Sequence, residues 1–207
     1  MAIEKEIKWM LSQQSWAALR QAAVDDGSFV KEASQTNHYF DRPDLAMADQ
    51  MLMLRLRHKN GRWTMTFKAK LERPDEPGMH SVELEAPVTP EYAQSLLSNP
   101  AQILDCELAP ALRFVQEAGQ RAVGLQNLAV IGSMTTSRAL ITSPSGRWTL
   151  ELDHSVYADT EDFELECEAD DLHAAHDELV GFLERLNIPW TPSKLPKLAR
   201  LIERLRT

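Results

Sequence analysis

Six stretches of this chain alternate with period two and place their charges on one face, sorted by sign. Glu4 and Glu6, Glu83 and Glu85, Glu151 and Asp153, and Glu164 and Glu166 each stand two apart, as do Arg55 and Arg57, and Lys68 and Lys70. Successive side chains of a strand point to opposite faces, so each pair shares a face, and that spacing is wrong for a helix. The opposite faces carry Leu52, Leu54 and Leu56, then Met65, Phe67 and Ala69, then Leu150 and Leu152, then Phe163, Leu165 and Cys167. Strands of this kind must keep one face dry and find a use for the other.

The intervening stretches supply the rest of the secondary structure. The opening strand, with Glu4, Glu6 and Lys8 facing one way, is followed by "SQQSWAALRQAAV". There Ser12 reads as a cap, and Trp16, Leu19, Ala23 and Val24 fall at helical spacing. "NHYFD" predicts a short aromatic strand, and "KNGR" between two alternating runs is the signal of a tight hairpin. "ERPDEPG" reads as a loop, and helices are expected from about 90 to 98, around 110 to 119 and from about 171 to 186. "GSMTTSRALIT", "WTLELDHS" and "DFELECEA" are strands, and a closing helix holds Pro192, Lys194, Lys197 and Arg200. The total is about eight strands with four or five helices. No Gly/Ser-rich or low-complexity linker interrupts the chain, so one domain over 1–207 is expected.

An antiparallel sheet with one wet face shows the same alternation, but ordinary surfaces intersperse the two signs. Eight such strands can close into an antiparallel barrel of the α+β class, with helices packed on the apolar outer faces and the charges lining the bore. Carboxylates gathered in a low dielectric are costly without cations among them, and hard divalent ions, Mg²⁺ or Mn²⁺, suit carboxylate oxygen. Arginines and lysines on another wall would hold an oxygen-rich anion. A metal together with a polyanion is the chemistry of phosphoryl transfer.

The formal net charge of −9 opposes encounter with nucleic acid or an anionic membrane. Cys106 and Cys167 are too few for a disulfide framework and read as reduced core residues. Without an apolar leader or a run of about 18 apolar residues, the chain is expected in the cytoplasm, as a monomer or homodimer.

These residues resemble a known family. "EKEIK" has the Glu-x-Glu-x-Lys form of the CYTH superfamily, the triphosphate tunnel metalloenzymes. "NHYFD", "LRLR", "NGRWTMTFKAK", "VELE", "SR", "LELDHS", "FELECEA" and "SKLPKLAR" follow in the family's order along nearly the whole chain. The resemblance implies an eight-stranded antiparallel tunnel and a triphosphatase of the stand-alone bacterial type, acting on inorganic tripolyphosphate or a small organic triphosphate. A class IV adenylyl cyclase and a non-catalytic polyphosphate- or nucleotide-binding module are the alternatives.

By motif position the resemblance implies metal ligation by Glu4, Glu6, Glu164 and Glu166, with Asp153 and Glu85 as further carboxylates. It implies a triphosphate cradle of Lys8, Arg55, Arg57, Lys68, Lys70, Arg138 and Lys194. Catalysis would rest on Glu4, Glu6, Asp153, Glu164, Glu166 and Lys68. Lys194 would gate the mouth, with Lys197 and Arg200 less certain and Glu83 and Glu151 secondary. His173 and His176 read as outer-surface residues, His154 as a rim residue, and the five tryptophans as packing between barrel and helices.

Overall fold

The computed structural model describes residues 3–105, apart from 74 and 76, and residues 126–206. The expected helix around 110–119 and Cys106 lie outside the described residues. The strands are β1 (Ile3–Leu11), β2 (Phe29–Asp41), β3 (Leu52–Lys59), β4 (Arg62–Leu71), β5 (Met79–Val88), β6 (Ala129–Thr142), β7 (Thr149–Tyr157), β8 (Thr160–Glu168) and β9 (Trp190–Pro192). Five helices accompany them among the described residues: α1 (Gln13–Asp25), α2 (Ala46–Asp49), α3 (Pro90–Ser98), α4 (Leu172–Arg185) and α5 (Lys197–Leu205). A 3₁₀ turn covers Pro100–Asp105.

The sheet runs β5-β4-β3-β2-β6-β7-β8-β1-β9, and a β1–β5 pairing closes its first eight strands into a barrel. All pairings are antiparallel. Closure removes the exposed edges, and β9 continues only the far end of β1, opposite Trp9, Met10 and Leu11. The β3–β4 turn is made by Asn60 and Gly61, both at positive φ, as an Asn-Gly hairpin requires. Gly78 has φ +80°, and a Cβ there would lie 2.4 Å from the Glu6 carbonyl oxygen, so only glycine lets the chain enter β5 beside β1.

The apolar faces look outward, as the alternation predicts. Ile7, Trp9, Leu150, Leu152, Leu165 and Cys167 pack beneath α1 and α4, meeting Leu19, Leu179 and Leu183. Leu52, Leu54, Leu56, Met65 and Phe67 form a second core under α2 and α3, with Met47, Leu96 and Ile103. Each such large side chain stabilises the fold by about 1.5–3 kcal/mol when fully buried. The N-termini of α1 and α3 are capped: Ser12 Oγ accepts from the Ser15 N–H and Thr89 Oγ1 from the Tyr92 N–H.

Two elements differ from the sequence reading. β2 spans 13 residues where "NHYFD" predicted a short strand, because the stretch ahead of it, Phe29 to Thr36, also pairs along β6 although its sequence shows no apolar alternation to read. The Asp that closes the motif, Asp41, is buried and accepts from the Met47 and Ala48 N–H groups, anchoring α2. The closing helix starts only at Lys197. Pro196 biases Leu195 away from helical geometry, so Pro192 falls in β9 and Lys194 in the intervening loop.

α5 covers one end of the bore. Its Leu198, Leu201 and Ile202 pack on Tyr39, Met134 and Tyr157, inward-facing residues of β2, β6 and β7. Leu45 and Ala48, from the 42–50 connection, join this contact. The opposite end lies at the 60–61 turn.

Candidate active site

Register alone gathers the acidic residues. Asp153 lies opposite Glu164, and Glu151 opposite Glu166, across β7 and β8, while Lys8 of β1 faces Glu166 from the other side and Arg138 of β6 faces Asp153. Carboxylate oxygens of Asp153, Glu164 and Glu166 all lie within 4.8 Å of one another, and all three residues are buried.

Such a cluster persists because cations surround it. Arg138 clamps Asp153 with two bonds, Nε to Oδ1 at 2.7 Å and Nη2 to Oδ2 at 2.6 Å, and reaches Glu166 Oε2 at 2.8 Å and Glu151. Lys8 Nζ lies 2.6 Å from Glu166 Oε1 and 2.9 Å from Glu6 Oε2. Lys197, from the first turn of α5, places Nζ 2.8 Å from Asp153 Oδ2, 2.6 Å from Glu164 Oε1 and 2.6 Å from Glu166 Oε1. Arg200 pairs with Glu164 and, at 2.6 Å, with Asp162.

Burial acts against ionisation of Glu166, but the Lys197 and Lys8 ammoniums outweigh it and hold this carboxyl well below its ordinary value. Asp153 is lowered the same way, with Lys197 and Arg138 overcoming burial. For Glu164 burial wins, helped by repulsion from Glu166, and its pKa rises to about 7. The cations respond in kind: burial lowers Lys8 and Arg138, yet the carboxylates facing them raise both well above the usual range.

A second acidic group lies beside the first. Glu4 accepts from Ser81 Oγ at 2.9 Å and pairs with Lys68, which is also 3.5 Å from both Glu6 and Glu83. Lys68 outweighs the burial that would raise Glu4 and brings it down to about 2. Glu168, next to Glu4, is raised to about 7 by burial and by that neighbour.

The wall formed by β2 and β3 is different. Arg55 Nη2 donates to Thr66 Oγ1 at 3.1 Å and lies 3.5 Å from Glu85 and 3.7 Å from Glu83, while its buried Nε has no hydrogen-bond partner among the described residues. Arg57 Nε donates to Asn37 Oδ1, the side-chain amide oxygen, at 2.9 Å. Among the described residues no carboxylate lies at ion-pair distance from Arg57 or from Lys59, the next inward-facing residue. Burial, then Arg55 and Arg138, pull Arg57 down to about 10, and burial with Arg138 and Arg57 lowers Lys59.

The structure thus joins Asp153, Glu164 and Glu166 directly, links Glu6 to Glu166 through Lys8, and links Glu4 to Glu6 through Lys68. Glu85 lies apart from the trio, bonded to Thr66. Arg55, Arg57, Lys68 and Arg138 face the bore, and Lys70 on β4 pairs across to Ser81. Lys194 is exposed in the loop before α5, and of the two lysines in "SKLPK" it is Lys197 that reaches the acidic centre. The heptad-like row Lys197, Arg200, Arg204 was the available signal for that. Asn37, Thr66 and Ser81 escaped the sequence reading because short polar residues on an inward face carry no pattern of their own. Lys59 was legible as the continuation of Arg55 and Arg57. His154 stacks on Phe163 on the outer face, 4.6 Å between ring centres, and not at the rim.

Comparison with known proteins agrees with this geometry. The chain is 27% identical over 206 residues to YjbK of Bacillus subtilis, whose name marks it as a candidate triphosphatase; the match covers 99% of this chain and 96% of YjbK. HpAC1 from Hippeastrum, a candidate adenylyl cyclase described as having a dominant triphosphatase activity, superposes with a TM-score of 0.79 at 24% identity, covering 99% of this chain and 96% of that one. A candidate adenylate cyclase from Bacillus halodurans gives 0.73 at 28% identity, with 97% and 98% covered. The family profile of the CYTH domain matches residues 2–196, and this chain belongs to the CYTH domain family.

Proposed function

We propose that this chain, working as one domain, is a divalent-metal-dependent triphosphatase that releases the terminal phosphoryl group of inorganic tripolyphosphate or a small organic triphosphate. The observation that carries this reading is the sorting of charge within one bore: a buried carboxylate trio on one wall, and on another the cations Arg57 and Lys59, with no carboxylate at ion-pair distance among the described residues. Three carboxylates with oxygens within 4.8 Å, already accommodating an ammonium, are a donor set that fits a hard cation, Mg²⁺ or Mn²⁺. When bound, such an ion supplies neutralisation of phosphate charge and a polarised water.

The remaining steps belong to the chain's own side chains. Arg57, fixed by Asn37, presents its remaining guanidinium N–H groups to phosphate oxygens, and Arg55 adds its unpartnered Nε–H. Lys68 and Arg138 stand between the two walls and neutralise charge along the phosphate chain. Catalysis then comes from positioning and fixed charge, with no covalent enzyme intermediate. The triphosphatase description of HpAC1 and the designation of YjbK support the same reaction class.

The test is phosphate release from tripolyphosphate, pyrophosphate, ATP and thiamine triphosphate with Mg²⁺ or Mn²⁺, following nucleotide products too. Release from tripolyphosphate is expected to fall at least about 100-fold in Glu166→Gln. Cyclic AMP and pyrophosphate from ATP would establish the cyclase reading instead. Tight triphosphate binding without turnover, with either metal, would overturn the hydrolase and leave a binding module.

A further inference from the structure

The acidic trio already holds a cation, and the chain itself supplies it. Lys197 Nζ lies 2.6–2.8 Å from one oxygen each of Asp153, Glu164 and Glu166. Its side chain is 13% exposed, and the carboxylates overcome burial to raise its pKa. The helix that carries it is held from two sides. Lys197, Arg200 and Arg204, spaced three and four apart, meet Glu164, Asp162 and Asp159, the last by two bonds of 2.6 and 2.8 Å. The other face, Leu198, Leu201 and Ile202, rests on Tyr39, Met134 and Tyr157.

We propose that Lys197 is the trio's internal counter-cation, and that a divalent ion and helix α5 compete for the same three carboxylates. This rests on the metal-dependent reading above. The oxygens that converge on Nζ are those a hard ion needs at about 2.0–2.6 Å, so ammonium and metal claim the same space. Two cations held a few ångströms apart in a low dielectric repel strongly, and Lys197 loses its carboxylate partners when the trio turns to a metal. The first turn of α5 must then lift away from the trio, while the exposed Arg204–Asp159 pair at its other end stays formed. Metal loading therefore opens the end of the bore that α5 closes. In the metal-free protein, apparent metal affinity is reduced by the fraction of molecules in which α5 is closed.

The experiment is direct Mn²⁺ binding to the metal-stripped full chain without substrate, read by electron paramagnetic resonance, in wild type, Lys197→Met, Leu201→Ala and Glu166→Gln. Amide hydrogen exchange of 197–205 is measured with and without Mn²⁺. Lys197→Met is expected to bind Mn²⁺ about tenfold or more tightly than wild type. Leu201→Ala, which loosens α5 without touching a ligand or a charge, should shift affinity in the same direction by a smaller factor, and α5 exchange should accelerate when Mn²⁺ binds wild type. Unchanged or weaker binding in both variants, with α5 protection unaffected by Mn²⁺, overturns the competition. If that result comes with binding that is still lost in Glu166→Gln, the metal-dependent reading stands without it. If neither wild type nor either α5 variant binds Mn²⁺, the reading and the inference fall together.

Discussion

The two charged walls of the bore solve opposite problems. Around β7 and β8 every buried carboxylate of the trio meets cations from the chain itself, with Arg138, Lys8, Lys197 and Arg200 among them. Those ion pairs raise Lys8 and Arg138 and lower Glu166 and Asp153, each toward its charged form. On β3 the shifts run the other way. Arg57 and Lys59 are lowered by burial and by other cations, so this wall is strained by its own charge. One wall is internally neutralised, whereas the cations Arg57 and Lys59 of the other have no carboxylate at ion-pair distance among the described residues. Fixed charges left uncompensated in a folded protein mark a binding task more clearly than charges that already have partners.

The comparison is broken most sharply by removing one cation from each wall. Lys8→Met leaves Glu6 and Glu166 facing each other without their shared ammonium. Breaking a buried pair from one side costs about 3–5 kcal/mol, and denaturant unfolding at neutral pH is expected to show a loss of that order. Arg57→Met removes a cation whose hydrogen-bond partner among the described residues is the Asn37 amide. Its unfolding free energy is expected to change by less than about 1 kcal/mol, because relief of repulsion offsets one lost hydrogen bond. Tripolyphosphate binding to the metal-free protein, by titration calorimetry, should weaken about 10–100-fold in the same variant, the range expected for charge-assisted bonds. Equal destabilisation by the two substitutions would mean that the walls are not different in kind.

Much of this was legible in the sequence, for a physical reason. Period-two alternation fixes which side chains share a face, so sorting by sign along Glu4–Glu6, Arg55–Arg57, Lys68–Lys70 and Glu164–Glu166 revealed a polar bore before any pairing was known. What alternation cannot fix is which carboxylates meet across strands. Glu85 and Asp153 looked equivalent as further carboxylates, but register places Asp153 opposite Glu164 and Glu85 opposite Thr66. The closing helix was harder still. "SKLPKLAR" offers two lysines three apart, and only the proline between them, which delays helix initiation to Lys197, decides which one turns inward.

The smallest expected effect concerns protons on the basic wall. Arg57 is pulled down to about 10 by burial and by Arg55 and Arg138, so near that pH the free protein has lost part of this charge. A bound polyphosphate supplies the missing negative charge and returns the guanidinium toward its ordinary 12.5. The complex therefore holds more protons than the free protein, binding takes up protons, and affinity must fall as pH rises through 10. Measured between about pH 8 and pH 11, wild-type affinity for tripolyphosphate should drop by up to about tenfold more than that of Arg57→Met. Using the difference cancels titration of the ligand and of the groups the two proteins share, Lys59 among them. Parallel profiles for the two proteins would show that Arg57 keeps its proton throughout, and that its charge is balanced within the fold as fully as those around Glu166.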